Sequence, residues 1–426
     1  MLTKEKYQKY LDILEEELIP AMGCTEPVAI AYAGAKARKV LGEMPNWALI
    51  QVSGNIIKNV KSVVVPHTGG LRGISSALAA GIAVGDADAE LEVLSSVSEE
   101  QVKEIPLFMQ TCPIKVERID GDVVFEILVT LRSKNNEAKV RIIDNHTNVV
   151  YIERNGEVLY ENTTRTVKQK ADRSCLTVED IVAFCDSVKI EKIKPVLDRQ
   201  IRYNMAIAEE GLKNAWGANV GKVLLHSYPS DISAKARAYA AAGSDARMNG
   251  CEMPVVSNSG SGNQGITASV PVVVYARETG VSEEKTYRAL CLSNLITIHL
   301  KSGIGTLSAY CGVISAGAGA GAGIAYMLGG DFHAVAHTLV NALAIDSGII
   351  CDGAKASCAA KIAVAVESGL LGYKMYLSGN QFYGGDGIVK KGVEKTIESV
   401  SRLAQDGMKG TDLEIIKIMT DEQAGC

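Results

Sequence analysis

The sequence predicts an α+β protein: N-terminal helices, a small antiparallel α+β domain, and a large all-helical C-terminal domain. Two observations carry this expectation. Alternating, β-branched segments are confined to about residues 47–165, as half-buried strands require. From Thr177 onward helical runs follow one another with no convincing strand pattern. A chain of 426 residues suits two or three domains, and the boundaries are drawn at 1–45, 46–170 and 171–426. With 47% hydrophobic residues, the chain has enough apolar surface for a large core.

Residues 5–19 place Tyr7, Tyr10, Leu11, Leu14 and Leu18 at helical spacing, and Pro20 ends the run. The loop AMGCTEP follows, and Pro27 suits the first turn of a helix through VAIAYAGAKARKVLG. WALIQV and VKSVVVP read as strands, then KVERID, VVFEILVTL, KVRIID and VVYIER, with turns at Gly121-Asp122 and Asn155-Gly156. A helical stretch, GGLRGISSALAAGIAVG, divides the early strands from the late ones. The C-terminal helices are TVEDIVAFCDSV, VLDRQIRYNMAIAEEGLKNA, SDISAKARAYAAAG, EKTYRALCLSNLITIHL, a Gly/Ala segment and FHAVAHTLVNALAIDSG.

Composition excludes several function classes. Forty-four basic residues against 49 acidic ones, with no basic run, argue against nucleic acid as a partner. The first residues, MLTKEKYQKYLDILEEEL, contain no apolar signal-peptide core. Residues 302–330 carry no charge, as a membrane span would. Their apolarity comes from Ala and Gly, without basic flanks or aromatic belts, so a core helix with close backbone contacts is expected. Ten cysteines and no C-x-x-C, in a chain read as cytoplasmic, argue against disulfides, a zinc ribbon and a thioredoxin-type site.

Cys311, Cys351 and Cys358 form the strongest constellation. Cys351 and Cys358 lie seven residues apart, either on one helix face or flanking a loop. Spacing alone favours three buried thiols over a ligand set. Cys24 precedes a helix start, where unpaired amides and the helix dipole are expected to lower a thiol's pKa. A half-buried capping cysteine is an equal reading. SNSGSGNQG (residues 257–265) and PHTGGLRG (residues 66–73) are polar turns before helices, suited to an anion or to simple capping. His333 and His337 lack the glutamate of a zinc-protease helix, and no G-x-S-x-G elbow occurs.

The segments AMGCTEPVA, GNIIKNVKSVVVPHTGGLRG, NGCEMPVVSNSGSGNQGI, YCGVISAGAGAGAG and CDGAKASCAAKIA together resemble the L-cysteine desulfidase family. That family is related to the iron–sulfur L-serine dehydratases, whose helical domain holds a 4Fe-4S cluster. The resemblance implies a cluster on Cys311, Cys351 and Cys358 in the helical domain, with Cys24 as catalytic base or as a further ligand. It implies α,β-elimination of L-cysteine to hydrogen sulfide, ammonia and pyruvate, with no pyridoxal phosphate. His67, Thr68, Arg72, Asn258, Ser259 and Asn263, on the two polar turns, are the candidates for holding the substrate's carboxylate and amine. The run CDGAKASC is shorter than its serine dehydratase counterpart, which favours cysteine over serine as substrate. A serine dehydratase-like deaminase and a cluster-based sensor of cysteine or sulfide are the alternatives. A small-molecule substrate is expected, with neither nucleic acid nor membrane as partner; the oligomeric state is open, a homodimer among the candidates. Cys426, in the tail DEQAGC, is read as an idle thiol, the alternative being a thiolate that shields the cluster's open iron.

Overall fold

The computed structural model describes residues 2–121, 123–162, 171–305 and 308–420; the expectation for Cys426 lies outside them. Helix α1 (Lys4–Glu17) starts at Thr3, whose side chain accepts from the Lys6 amide, and presents Tyr10, Ile13 and Leu14 to the interior. A short strand β1 (Pro20–Met22) leads to α2 (Thr25–Leu41). Then come β2 (Trp47–Ser53), α3 (Gly54–Val60), α4 (Gly73–Val84) and α5 (Glu99–Thr111). Strands β3 (Ile114–Ile119), β4 (Glu126–Arg132), β5 (Glu137–Ile143), β6 (Val149–Arg154) and β7 (Glu157–Glu161) complete the sheet.

The sheet has the order β3-β2-β4-β5-β6-β7. It is antiparallel from β2 to β7, and its β2–β3 pair is parallel. Ile50, Val129 and Val140 are cross-strand neighbours and fully buried, in one core with apolar residues of α2 and α4. Each such side chain contributes about 1.5–3 kcal/mol relative to its exposed state. VKSVVVP is not the strand its β-branched run suggests. Val60 ends α3, and Val64 makes only an isolated bridge to Arg72. Among the described residues no neighbouring strand completes a ladder there, and strand propensity is expressed only with a partner.

The helical region comprises α6 (Val178–Ser187), α7 (Ile190–Lys213), α8 (Val220–Ser227), α9 (Ile232–Met248), strand β8 (Pro254–Val256) and α10 (Gly262–Thr279). It continues with α11 (Glu283–Ile304), α12 (Gly312–Met327), α13 (Phe332–Asp346), α14 (Cys358–Leu377), α15 (Val393–Arg402) and α16 (Lys409–Thr420). The Gly/Ala helix α12 is buried among α10, α11, α13 and α14. A β-carbon on Gly321 would lie 2.5 Å from the Gly369 carbonyl carbon, so α12 and α14 meet backbone to backbone. Among the described residues no helix is long and apolar enough to cross a membrane.

The two cores draw on different ends of the N-terminal segment. Residues of α1 pack with the C-terminal helices, and those of α2 with the sheet. Between them β1 pairs antiparallel with β8, Ala21 opposite Val255. That pairing sets Cys24 beside the turn from α9 to α10.

Candidate active site

The chain segments around Ala309–Cys311 and Ile349–Cys351 run antiparallel. The Cys311 amide donates to the Ile349 carbonyl at 3.2 Å, and the Cys351 amide to the Ala309 carbonyl at 2.6 Å. This sets Cys311, the N-cap of α12, beside Cys351, and the two thiols share a hydrogen bond. Cys358 opens α14 and points its Sγ at the Gly353 carbonyl, 3.6 Å away. Cys351 and Cys358 therefore flank a loop rather than share a helix face.

Cations surround this loop. Lys58, on α3, has a side chain only 1% exposed and pairs with Asp412 on α16. Asp352 gathers Lys355 and Lys361, and the Lys361 ammonium also donates to the Ile350 carbonyl at 2.8 Å. Lys301 is buried and donates to the Gly305 carbonyl. The hydrogen bond from Cys311 holds the Cys351 thiol down at about 5, against its burial and with help from Lys58, the Gly353 amide and Lys355. Cys311, as the partner that keeps its proton, is pushed well up by the same bond and by burial. Burial also raises Cys358.

Cys24 packs against Val63, Met248, Ala354 and Cys358. Cys24, Cys311, Cys351 and Cys358 thus come together, although they belong to three separate chain segments. The expected low pKa of Cys24 is corrected. It caps α2 without a side-chain cap bond, and burial pushes its thiol up to about 11, the nearby Arg247 charge opposing. Desolvation outweighs the helix start here.

The two polar turns fare differently. His67 adopts a left-handed conformation, φ 55°, with its amide 2.9 Å from Glu252 Oε1 and its Nδ1 3.3 Å from Oε2. Thr68 spends its hydroxyl on the Val65 carbonyl at 2.7 Å. Arg72 donates to the Ser62 carbonyl at 3.0 Å and to Asn249 Oδ1 at 3.5 Å. His67 and Thr68 line a cavity of about 280 Å³ with Trp216, Asn249 and Glu252. Pro66 reaches the Cys24 loop, since a β-carbon on Gly23 would lie 2.9 Å from Pro66 Cγ. On the other turn the buried Asn258 amide donates to Asn294 Oδ1 at 2.9 Å, and its Oδ1 receives the Ser259 hydroxyl at 2.8 Å. Asn263 Oδ1 accepts from Arg247 at 3.2 Å.

Sequence reasoning did not single out Lys58, Lys301, Arg247 or Gln264. For Lys58 and Lys301 the available signal was a lone charge inside or ending an apolar run, as in GNIIKNV and LITIHLKSG; Arg247 and Gln264 offered none.

A model of the serine dehydratase alpha chain matches residues 88–417 of this chain. The chain belongs to the serine dehydratase alpha chain family. The match includes Cys311, Cys351 and Cys358, whereas Cys24 and the 66–73 turn precede it. Relatives extend the likeness over nearly the whole length. A UPF0597 protein of Desulfitobacterium hafniense (strain Y51) is 56% identical, over 98% of this chain and 97% of its own. UPF0597 proteins of Treponema denticola and Shewanella oneidensis are 47% and 39% identical, each over 98% of this chain and 99% and 100% of their own. As a member of the serine dehydratase alpha chain family, the protein places Cys311, Cys351 and Cys358 in the matched helical region, at the start of α12 and at the loop into α14.

The donor set can be tested against an iron–sulfur cluster. Among the described residues no three His, Cys, Asp or Glu side chains converge on a single metal ion. A multi-iron cluster binds each thiolate to a different iron and so asks for donors around a wider perimeter. An all-sulfur set suits soft iron–sulfur chemistry. The ammonium groups of Lys58, Lys301, Lys355 and Lys361 offset the negative charge that buried thiolates would bring. On both counts the residues fit.

Proposed function

We propose that this protein is an iron–sulfur-dependent lyase that cleaves L-cysteine to hydrogen sulfide, ammonia and pyruvate. The observation that carries the reading is the meeting of Cys311, Cys351 and Cys358, ringed by lysines, with Cys24 packed against Cys358. These three thiols would hold a 4Fe-4S cluster, which when bound supplies a Lewis-acidic iron for the leaving sulfur.

The chain's own residues do the rest. Cys24 Sγ, as thiolate, takes the Cα proton of the substrate. The electron pair left on Cα forms the Cα–Cβ double bond, and the Cβ–S bond breaks with its pair going to sulfur. The product, aminoacrylate, tautomerises to an imine, and water hydrolyses that to pyruvate and ammonia. Cys24 is a neutral thiol in the free protein and first gives its proton to solvent as substrate enters, a loss that the Arg247 charge beside it favours. The turns at residues 66–72 and 257–264 hold the carboxylate and amine, with His67, Arg72, Ser259 and Asn263 as the proposed contacts and Thr68 and Asn258 as positioning residues. Asn258 acts there by fixing Ser259, and Thr68 by fixing its own turn. With Cys24 buried, bulk water is kept from the proton transfer once substrate is bound. The site of action is proposed as cytoplasmic, on a free amino acid.

The family match supports a second reading, a serine deaminase, in which hydroxide leaves in place of sulfide. Parallel kcat/KM measurements on anaerobically reconstituted protein separate the two. The cysteine reading predicts at least a tenfold preference for L-cysteine, by about 1.4 kcal/mol of differential transition-state binding. A preference for L-serine overturns it.

A further inference from the structure

Arg247 is nine-tenths buried near the end of α9. Two partly buried arginines have carboxylate partners: Arg237, on the same helix, meets Glu367 at 3.1 Å, and Arg173 meets Glu17, while the partly buried Arg38 is satisfied by three backbone carbonyls. Among the described residues Arg247 has no carboxylate partner. Its Nη1 donates to Asn263 Oδ1 at 3.2 Å and its Nη2 to the Gly23 carbonyl at 2.8 Å, both neutral acceptors. Its Nε is buried with no partner at all. A buried cation without a counter-charge is costly, and arginine's planar fork is shaped for a carboxylate.

Three neighbours complete the setting. A β-carbon on Gly262 would lie 2.4 Å from Arg247 Nε, so the guanidinium rests on the first turn of α10. That turn is the positive end of an 18-residue helix, with its Gln264 amide capped by the Ser261 hydroxyl. Gln264, on the same turn, is buried with its Oε1 unpartnered, and a β-carbon on Gly312 would lie 2.8 Å from its amide. Gln264 therefore abuts the residue after Cys311, while Arg247 abuts the residue before Cys24. An anion held by Arg247 would sit between the proposed base and the proposed cluster.

We infer that Arg247 binds the α-carboxylate of the amino-acid substrate, with the first turn of α10 as its backing. This deepens the lyase reading and rests on it for the identity of the ligand as an amino acid. An α-carboxylate anchored there directs Cα toward Cys24 and the β-substituent toward Cys311.

The test uses the anaerobically reconstituted full chain and L-alanine, which has the carboxylate and amine but no leaving group. Ethylamine, which lacks the carboxylate, is the matched probe. Wild type should bind L-alanine and not ethylamine in equilibrium titration. Arg247→Met should weaken L-alanine by roughly 10- to 100-fold, the loss of a charge-assisted pair, with iron content unchanged. Arg247→Lys keeps the charge, guards against a folding failure, and should fall between the two. Unchanged L-alanine affinity in both variants overturns the assignment, as does loss of iron in parallel with binding. The lyase reading fails separately: L-alanine bound through Arg247 without cysteine turnover in wild type would leave the carboxylate site standing and remove the reaction.

Discussion

The Lys58 carbonyl oxygen lies 1.8 Å from where a β-carbon on Gly353 would stand. Gly353 also has φ +91°, a conformation that side chains rarely adopt. Helix α3 and the loop between Cys351 and Cys358 are thus pressed backbone to backbone, and the buried Lys58 charge is held at the thiols by that contact. Gly353→Ala should separate them. The expected result is a loss of about 1–3 kcal/mol in stability and a lower iron content after anaerobic reconstitution. Gly410→Ala, where nothing lies within 4 Å, should change neither. Melting curves and iron assays read both.

The ligand set makes a direct prediction. Cys311→Ser, Cys351→Ser and Cys358→Ser should each lose iron and turnover together, because a hydroxyl is a poor ligand for soft iron. Cys185 and Cys291 hydrogen-bond each other inside the helical core. Cys185→Ser and Cys291→Ser should therefore keep the full iron content, measured per chain by colorimetric assay.

For Cys24 the informative readout is isotopic. Cys24→Ala should retain the cluster and stop exchange of the substrate Cα proton with deuterated solvent. Loss of iron in that variant would make Cys24 a ligand instead of a base.

Asp245 gives the pH dependence. It is buried on α9, with Oδ2 receiving the Gly221 amide at 3.2 Å and Oδ1 unpartnered. Burial raises its carboxyl to about 6, the Gly221 and Val220 amides opposing. The folded state therefore holds this proton more tightly than the unfolded chain does. Its contribution to stability is fully present below pH 4 and is lost as pH rises through 6. At pH 7.5 the charged form costs up to about 3 kcal/mol, at 1.36 kcal/mol per pKa unit. Asp245→Asn should gain stability relative to wild type on going from pH 4.5 to 7.5. Parallel denaturant titrations at the two values measure this, and an equal difference at both pH values would refute it.

Local pattern carried much of the fold. Tyr10 and Leu14 of α1, the alternation in β2 and β5, and the long α7 and α11 were all legible from periodicity. Pattern misled at Val63–Val65, which among the described residues make only the Val64–Arg72 bridge, and was silent for β1 and β8, three residues each, which define one another only by pairing. Helix α5 also went unread; Pro106 lies within it. At the site, residue type drew attention to the cysteines, and family likeness to their grouping. Lys58, Arg247 and Gln264 were invisible for a different reason. Each matters through a contact distant in sequence: Lys58 with Gly353, Arg247 with Gly23, Gln264 with Gly312. No local spacing encodes such a meeting.

Pyruvate and sulfide release from L-cysteine by anaerobically reconstituted protein decides whether this protein is an iron–sulfur cysteine lyase. The two products should appear in equal amounts, at a rate proportional to bound iron, and should be absent from the iron-free protein. Turnover by iron-free protein, or a fully loaded protein that releases no pyruvate, would rule out the iron–sulfur lyase.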